Sequence, residues 1–340
     1  MTKIAIIGAG ISGLSLAHKL APHASITLFD KARGAGGRMA TRRAPPYAFD
    51  HGAQFFKART DAFKKFIAPM IDAKIVTPWH GRFAEIDQRI IAAKRHWDHS
   101  NPHYVGVPAM NAVAKWLSAQ LQTDKVQLHL ETRIAAIHQQ QNLAAHKAAS
   151  WSLYDDHNQH QGDFDWVISA VPPAQALDFL PASLPFLDQI KGVQMKGCYS
   201  LMLGFETPPP LEFDAALVIG EAISWISQNH SKPSRESAAS LLIHATNDWA
   251  DAHLEDDPDQ VKRFLMEQAS AIIGVDLGTA NHQAIHKWRY ANISKQTGDG
   301  YFMDEAQHIG VCGDWCIQGR IESAFTSALG LSTRIIPQIS

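Results

Sequence analysis

Three glycines near the start of the chain have a spacing that suits phosphate binding. Gly8, Gly10 and Gly13 form the pattern GxGxxG after a short apolar run and at the start of a helical pattern. Gly8 permits a tight turn, Gly10 lets a phosphate approach the backbone, and Gly13 lets the helix pack closely on a strand. The N–H groups at the start of that helix attract anions. Asp30, at the end of the next apolar run, can accept hydrogen bonds from a ribose, so the spacing predicts a dinucleotide site.

A second glycine-rich loop lies just beyond Asp30. Residues 34–39 read GAGGRM and combine three glycines with Arg38. Close backbone approach together with a fixed positive charge suits a further contact to a pyrophosphate. The GxGxxG pattern alone does not separate NAD from FAD.

Other groups that could carry chemistry have simpler interpretations. Cys312 and Cys316 are spaced C-x3-C, but their ligand set is incomplete for a metal, and we expect packed thiols. The motifs GxSxG and HExxH, which would indicate a hydrolase, do not occur. A solvated loop is expected for a histidine group formed by His96, His99 and His103.

The elements that must position these residues begin with a βαβ pattern. Residues 4–7 and 26–29 are expected to be strands, and residues 12–20 a helix. Further strands are expected at 126–130, 133–138, 151–154, 165–171 and 309–312, and further helices at 108–120 and 322–336.

The βαβ pieces lie at both ends of the chain, with other material between them. We therefore expect an α/β fold in which a discontinuous Rossmann-like domain carries an inserted α+β domain. The first domain would comprise residues 1–56, 104–173 and 300–340. The inserted domain would comprise residues 57–103 and 174–299.

Composition excludes several functional classes. The 340 residues carry 31 Lys plus Arg against 33 Asp plus Glu, a net charge of −2, so no global field favours nucleic acid or an anionic membrane. We find no apolar run near the roughly 18 residues of a membrane helix. Three cysteines cannot form a disulfide framework, and we expect a reducing, cytoplasmic setting.

Several segments together resemble a known superfamily. GAGISGLSLA, FDKARGAGGRMATRR and DHGAQFF are similar to the flavin-containing amine oxidase superfamily, and IGVCGDWCIQGRIESAFTSALGLS resembles its last flavin motif. Within it, the chain resembles bacterial renalase-type proteins through YVGVPAMNAVAKWL, SWISQNHSKP, LIHATNDWA and HKWRYA. Ala109 departs from this pattern, which has glycine there. The resemblance implies an amine oxidase/p-hydroxybenzoate hydroxylase-like fold.

The resemblance implies non-covalent FAD as the cofactor. Ala53 and Gln54 would lie beside the isoalloxazine ring, and the backbone of Ile134 would meet the adenine. The helix that begins near Arg320 would direct N–H groups at the flavin pyrimidine, where a reduced flavin carries negative charge. The implied FAD contacts are Gly8, Gly10, Ile11, Ser12, Gly13, Asp30, Lys31, Gly37, Arg38, Met39, Ala53, Gln54, Ile134, Gly313, Asp314, Arg320, Ile321 and Glu322.

A substrate pocket also follows from the resemblance. Its aromatic side chains would stack on a planar substrate ring, and Asn229 and His244 could bind a carboxamide. The implied pocket residues are Gln54, Trp225, Asn229, His244, Trp288 and Tyr290. A cationic mouth is expected from Arg42, Arg43, Lys57, Arg59 and Lys232. No metal ligand and no catalytic acid or base is assigned.

The implied reaction is oxidation of 2- or 6-dihydro isomers of NAD(P)H to NAD(P)+. Hydride would pass to flavin N5, and O2 would reoxidise the flavin and give hydrogen peroxide. Hydride loss makes the nicotinamide ring aromatic, so the reaction needs no dedicated base. The dinucleotide substrate and O2 are thus the expected partners, while the preferred isomer, NAD or NADP preference and oligomeric state stay open.

Two alternatives stay open at this point. A true amine oxidase would place a lysine near flavin N5 through a water, and Lys196 and Lys287 are the candidates. A non-enzymatic module that senses flavin or nucleotide is the second alternative.

Overall fold

The structure is a computed structural model that describes residues 1–121, 124–140, 150–235 and 238–339. The chain divides into two compact units, each built from separate stretches of sequence. Unit 1 comprises Met1–Gly37, Ala114–Met195 and Ile293–Ser340, and unit 2 comprises Arg38–Val113 and Lys196–Asn292. Within the described residues, no helix has both the length and the apolar character needed to cross a membrane.

The strands and helices of the described residues are numbered in chain order. The strands are β1 (Lys3–Ile7), β2 (Ser25–Phe29), β3 (Arg42–Ala44), β4 (Tyr47–Phe49), β5 (Val76–Pro78), β6 (Arg82–Asp87), β7 (Ile90–His96), β8 (Tyr104–Gly106), β9 (Val126–His129), β10 (Ile134–Gln139), β11 (Trp151–Asp155), β12 (His160–Phe164), β13 (Trp166–Ser169), β14 (Lys196–Phe205), β15 (Ala215–Ile219), β16 (Ile223–Gln228), β17 (Ala239–Ala245), β18 (His282–Asn292), β19 (Tyr301–Asp304) and β20 (Ile309–Cys312). The α-helices are α1 (Ile11–Leu20), α2 (Asp61–Asp72), α3 (Ala112–Gln120), α4 (Pro173–Ala176), α5 (Leu187–Lys191), α6 (Asn247–Ala252), α7 (Pro258–Ile273) and α8 (Ile321–Ile339).

Unit 1 is built on a six-stranded sheet in the order β19-β20-β13-β1-β2-β9. The pairs β20–β13, β13–β1, β1–β2 and β2–β9 are parallel, and β19 pairs antiparallel with β20. Helices α1 and α8 pack on each other, and β10, β11 and β12 form a separate antiparallel sheet. This is the doubly wound arrangement that the βαβ pattern predicts, so the α/β fold class is confirmed.

The local sequence explains why β1, α1 and β2 form as predicted. β1 is buried along Ile4–Ile7 because a parallel strand has both faces covered. Helix α1 buries eight of its ten residues, and His18 and Lys19 stand in its last turn, where cations suit the negative end of the helix dipole.

The helix expected at residues 108–120 begins later, so that expectation is wrong at its start. Helix α3 begins at Ala112. Residues 108–111 instead form a turn in which the Met110 N–H donates to the Asp50 carboxylate, at 2.9 Å. Pro108 therefore does not mark the start of this helix, because Met110, two residues later, binds the Asp50 side chain, which is distant in sequence.

Unit 2 is built on a seven-stranded sheet in the order β18-β14-β17-β16-β15-β6-β7. Its neighbours pair antiparallel except β15 and β6, which pair parallel. One face is apolar and packs on α7 through Leu265 and its neighbours. Asp257 caps the start of α7, and Gly274 ends it in the left-handed conformation, at φ 68°.

The boundaries of the two units differ from the expected domains. Residues 38–56 and 104–113 belong to unit 2, whereas residues 174–195 and 293–299 belong to unit 1. The physical reason for the first shift is the Asp50 side chain, which makes ion pairs with Lys232 and Arg235 of unit 2.

Candidate functional site

In unit 1, the glycine loop has the geometry that its spacing predicts. A Cβ on Gly13 would lie 1.9 Å from the carbonyl oxygen of Gly8, so this approach of helix to strand needs glycine. Gly8 adopts φ +110°, which also favours glycine. A Cβ on Gly10, by contrast, would meet nothing within 4 Å. Gly10 therefore leaves open space at the start of α1, where a phosphate group would fit.

Asp30 braces this loop from the end of β2. One carboxylate oxygen accepts the Ala9 N–H at 2.7 Å, and the other accepts the Ala32 N–H at 2.8 Å. Each oxygen keeps a further lone pair for a donor such as a ribose hydroxyl. The position of Asp30 beside the loop is thus compatible with the ribose contact that the resemblance implies.

The second glycine segment returns to the first within unit 1. The Gly36 N–H donates to the Ala9 carbonyl at 2.9 Å, and a Cβ on Gly37 would lie 3.8 Å from the Cα of Gly10. The residues of each pair are 27 positions apart in sequence, so the two motifs present neighbouring backbone. Lys31, which follows Asp30 in sequence, is exposed.

The C-terminal motif occupies the turn between β20 and α8. The Gly313 N–H donates to the Ser327 hydroxyl at 2.9 Å, which ties this turn to α8. Asp314 is buried. Helix α8 begins at Ile321 after an exposed Arg320, and Glu322 stands in its first turn. This matches the expected start of the last helix.

The described residues of unit 1 fit the dinucleotide part of FAD. The open space at Gly10, the helix start with Ile11 and Ser12, and the Asp30 carboxylate offer backbone donors and an acceptor at one place. Ile134, the proposed adenine contact, begins β10 and is buried. These residues would hold the cofactor without a covalent bond.

In unit 2, buried polar side chains surround Asp50, which directly follows β4. We call Asp50, Gln54, Asn229, Lys232 and Arg235 the Asp50 cluster. One Asp50 oxygen accepts from Thr41 at 2.7 Å and from the Met110 N–H at 2.9 Å. The other accepts from Lys232 at 3.3 Å and from Arg235 at 2.7 Å. Burial opposes the carboxylate, but Lys232, Arg235 and the hydrogen bonds from the Met110 N–H and Thr41 together lower the pKa of Asp50 to about 2.

Two predicted pocket residues are committed to this cluster. The Gln54 amide nitrogen donates to the backbone carbonyls of Asp50 and Gly52, and its oxygen accepts from Ser227 at 3.0 Å and Lys232 at 3.2 Å. The Asn229 oxygen accepts from Lys232 at 3.0 Å and from the Asp50 N–H, while its nitrogen donates to Ala48. Their amides therefore hold the protein together, and the expected substrate contact through these amides has no support in this arrangement.

Lys232 also differs from the expectation. We expect it at a cationic mouth, but its side chain is fully buried in the Asp50 cluster. The cause is the carboxylate of Asp50, which offsets the cost of removing an ammonium from water. Arg42, Arg43 and Arg59 are exposed, as a mouth would require, and Lys57 is half-buried.

Two further predicted FAD contacts, Arg38 and Met39, belong to unit 2. Arg38 donates from its guanidinium to the Ala291 carbonyl at 3.1 Å, and its own carbonyl accepts the Ala53 N–H at 2.9 Å. A Cβ on Gly52 would lie 1.9 Å from that carbonyl, so glycine is required there. Met39 is buried.

The second face of the seven-stranded sheet carries imidazole and indole rings; we call it the histidine face. Register places His244 opposite both Trp225 and Ser200, Ser200 opposite His286, and Trp288 two residues beyond His286 on β18. Residues opposite each other across a strand pair share one face. Predicted pocket residues Trp225, His244 and Trp288 therefore come together on one surface.

His51, which sequence reasoning missed, covers this face. Its ring stacks on Trp288 with centroids 5.2 Å apart and meets His286 edge-on at 4.8 Å. Its carbonyl accepts from Ser200 at 2.6 Å and from the Trp288 indole at 2.9 Å. Burial, together with His286 and Arg42, lowers the pKa of His51 to about 4, so its ring is neutral at pH 7. The DHGAQFF motif was the signal that could have identified it.

Trp225 and His244 have unused hydrogen-bonding capacity. Trp225 Nε1 and His244 Nε2 are buried and have no hydrogen-bond partner among the described residues. Burial lowers the pKa of His244 to about 4, against the raising effect of a hydrogen bond to the His51 backbone. The neutral ring thus donates from Nδ1, and Nε2 is an acceptor. An indole N–H donor and an imidazole acceptor thus belong to two residues that pair directly across β16 and β17.

The remaining predicted residues lie in plainer settings. Tyr290 is half-buried near the end of β18. His96 and His99 are exposed, but His103 is buried and stacks on Trp97 with centroids 3.8 Å apart, so a solvated loop is wrong for His103. The apolar surface of Trp97 explains this burial.

The cysteines are buried free thiols. Cys316 packs in the apolar core of unit 1, and burial raises the pKa of Cys312 to about 12. Within the described ranges, no three His, Cys, Asp or Glu side chains are grouped to hold a metal ion.

Solved structures of low sequence identity share the fold. A protein of Exiguobacterium sp. 255-15, assigned provisionally as a protoporphyrinogen oxidase, superposes with a TM-score of 0.78 at 14% identity over 99% of both chains. A triple mutant of putrescine oxidase gives 0.74 at 12% identity, also over 99% of both chains. An oxidoreductase of Methanosarcina mazei gives 0.71 at 11% identity over 97% of this chain and 100% of its own.

Two family models match the sequence. Residues 6–68 match the NAD(P)-binding Rossmann-like domain. Residues 86–336 match the flavin containing amine oxidoreductase family, which covers most of the chain. With the glycine loop, the acidic end of β2 and the last flavin motif in place, FAD is the cofactor and the protein is an FAD-dependent oxidoreductase. The chain belongs to the flavin containing amine oxidoreductase family.

Proposed function

We propose that this oxidoreductase oxidises 2- or 6-dihydro isomers of NAD(P)H to NAD(P)+, the renalase-type reaction. The observation that carries the proposal is the pair of buried, unpartnered atoms Trp225 Nε1 and His244 Nε2. A primary carboxamide offers an acceptor and a donor side by side, and it would satisfy both atoms. The nicotinamide ring carries such a group.

A protonated amine complements this pair poorly. An ammonium group donates hydrogen bonds and accepts none, so the Trp225 N–H would stay unsatisfied, at a cost of roughly 1–3 kcal/mol. The charges of the Asp50 cluster also disfavour a protonated amine. In the Asp50 cluster, one carboxylate faces two cations, Lys232 and Arg235, which disfavours a cationic substrate nearby.

The lysines considered for an amine oxidase are directed elsewhere. Lys196 is exposed and pairs with Asp248. Lys287 donates to the Leu254 carbonyl at 2.6 Å, and it stands between His286 and Trp288 on β18, so it points to the opposite face. These contacts weaken the alternative, which needs a lysine at the reacting ring.

The protein's part in the reaction is orientation and exclusion of water. Trp225 and His244 would fix the carboxamide, and His286 and Trp288 would bound the ring with apolar and neutral surface. When bound, FAD supplies the hydride acceptor and passes the electrons to O2, which yields hydrogen peroxide. Ring aromatisation drives hydride loss, and no residue need remove a proton from carbon.

Product analysis tests this proposal. The FAD-loaded enzyme is mixed aerobically with separated 2- and 6-dihydro isomers of NADH and NADPH, and oxidised nucleotide and peroxide are measured. Equal amounts of the two products from at least one isomer are expected. Peroxide formed from benzylamine or putrescine, and from none of the isomers, would support the amine oxidase alternative.

A further inference from the structure

Lys232 has a fully buried ammonium with three separate acceptors. Its Nζ lies 3.0 Å from the Asn229 oxygen, 3.2 Å from the Gln54 oxygen and 3.3 Å from an Asp50 oxygen. A protonated lysine has three N–H donors, and a neutral one has two. The charged form can therefore satisfy all three acceptors, whereas the neutral form leaves one without a donor.

Two of these acceptors belong to the first and last residues of the segment 50–54, which are Asp50 and Gln54. Lys232 therefore holds this segment at both ends. The Gln54 amide in turn reaches back to the carbonyls of Asp50 and Gly52. The segment thus folds back on the Gln54 side chain. Lys232 and Ser227 donate hydrogen bonds to the oxygen of this side chain and so orient it. His51, which covers the histidine face, lies within it.

We propose that Lys232 is a positioning residue whose protonated form fixes the segment 50–54, and with it His51, over the histidine face. The role of this segment in turnover rests on the proposed function. Lys232 touches no reacting atom in this account. It acts through Gln54 and Asp50.

The surroundings make this contact dependent on pH. Among the described residues, the charged or titratable groups that act on Lys232 are Asp50 and Arg235. The charge of Lys232 also acts on His244 of β17, whose ring is neutral. Burial outweighs the attraction of Asp50 and lowers the pKa of Lys232 to about 8. Trp79 lies beside the ammonium, 5.4 Å from ring centroid to Nζ.

The first test uses the unmodified, FAD-loaded protein. Hydrogen exchange of peptides that cover residues 50–56 is followed from pH 6.5 to 9.5 and corrected for intrinsic rates. Protection should fall at least tenfold as pH rises through about 8. Lys232→Met should show the low protection at every pH, and Lys232→Arg should restore protection and move the change upward. Lys262→Met, which removes a surface lysine paired with Asp259, is the matched control.

Two outcomes would overturn the proposal. One is protection of residues 50–56 that does not change between pH 6.5 and 9.5 in the unmodified protein. The other is the same pH change in Lys232→Met as in the unmodified protein. Neither readout uses a substrate, so failure here is separate from failure of the dihydronicotinamide reaction.

Flavin reduction gives the functional readout on the same proteins. With the substrate that reduces the flavin, the anaerobic rate constant should have an alkaline limb near pH 8 that Lys232→Met lacks. If no isomer reduces the flavin, the proposed function fails, and the exchange data still decide the role of Lys232.

Discussion

Trp225 on β16 and His244 on β17 are direct cross-strand neighbours, and their ring nitrogens Nε1 and Nε2 are both buried without a partner among the described residues. Phe55 and Phe83 pack on the Trp225 ring, with centroids 5.7 and 6.2 Å away, and so fix its plane. A buried donor and a buried acceptor without partners destabilise a protein, and a bound ligand or water that completes both bonds removes this cost.

We expect Trp225→Phe to weaken carboxamide binding while keeping the aromatic wall. Loss of one hydrogen bond to a buried group should raise Kd for NAD+ about tenfold to a hundredfold. Binding is measured from the change that NAD+ causes in the flavin spectrum. Trp249→Phe is the control, because Trp249 packs on Phe264 away from the histidine face. An unchanged Kd in Trp225→Phe would argue against this contact.

Gly10→Ala separates cofactor binding from folding. A Cβ at Gly10 meets no protein atom within 4 Å, and the backbone there suits alanine, so the apoprotein should keep its stability. The methyl group would occupy the space that we assign to a phosphate, so FAD affinity should fall at least tenfold. Gly192→Ala is the matched control, because Gly192 ends α5 in an ordinary helical conformation and its Cβ would come no closer than 3.4 Å to another atom. Equal FAD affinity in both variants, by fluorescence titration, would place the pyrophosphate elsewhere.

FAD should be released by acid precipitation. Cys316 lies within the last flavin motif, but it is packed in the core of unit 1, and burial raises its pKa. A buried, protonated thiol is a poor nucleophile. We therefore expect yellow supernatant and a colourless pellet. A yellow pellet that turns colourless in Cys316→Ser would reveal a covalent bond.

Acid should destabilise the folded chain through its buried histidines. Burial holds the pKa of His51, His244 and His286 at about 4 in the folded state, against about 6.5 when unfolded. Between pH 6.5 and 4 the unfolded chain binds more protons, so the free energy of unfolding falls as pH falls and levels off above 6.5. Denaturant titrations should give a slope above about 1.4 kcal/mol per pH unit, because more than one proton is involved. His286→Gln should reduce that slope; a flat profile from pH 4.5 to 6 would contradict the assignment.

Sequence predicted unit 1 well because its signals are local. The glycine spacing, the apolar β1 and β2 and the acidic end of β2 each follow from neighbouring residues. Steric limits at Gly8 and Gly13 leave few other arrangements. The start of the last helix was predictable for the same reason.

Sequence predicted unit 2 less well because its contacts are distant in sequence. Asp50 meets Lys232 and Arg235 more than 180 residues later, and no local pattern marks that pairing. Local sequence therefore predicts substrate contacts for Gln54 and Asn229 and an exposed position for Lys232, whereas the structure places all three side chains in the Asp50 cluster. Trp225, His244 and Trp288 were found only through resemblance, since strand register alone brings them together.

The most direct test of the account is anaerobic stopped-flow mixing of the FAD-loaded enzyme with single substrates. Flavin absorbance near its visible maximum is followed with the 2-, 4- and 6-dihydro isomers of NADH and NADPH, and with benzylamine and putrescine. If the protein is a dihydronicotinamide oxidase, at least one 2- or 6-dihydro isomer should bleach the flavin rapidly, and either amine should bleach it at least a hundredfold more slowly. Rapid bleaching by an amine, with no response to any dihydronicotinamide isomer, would contradict it.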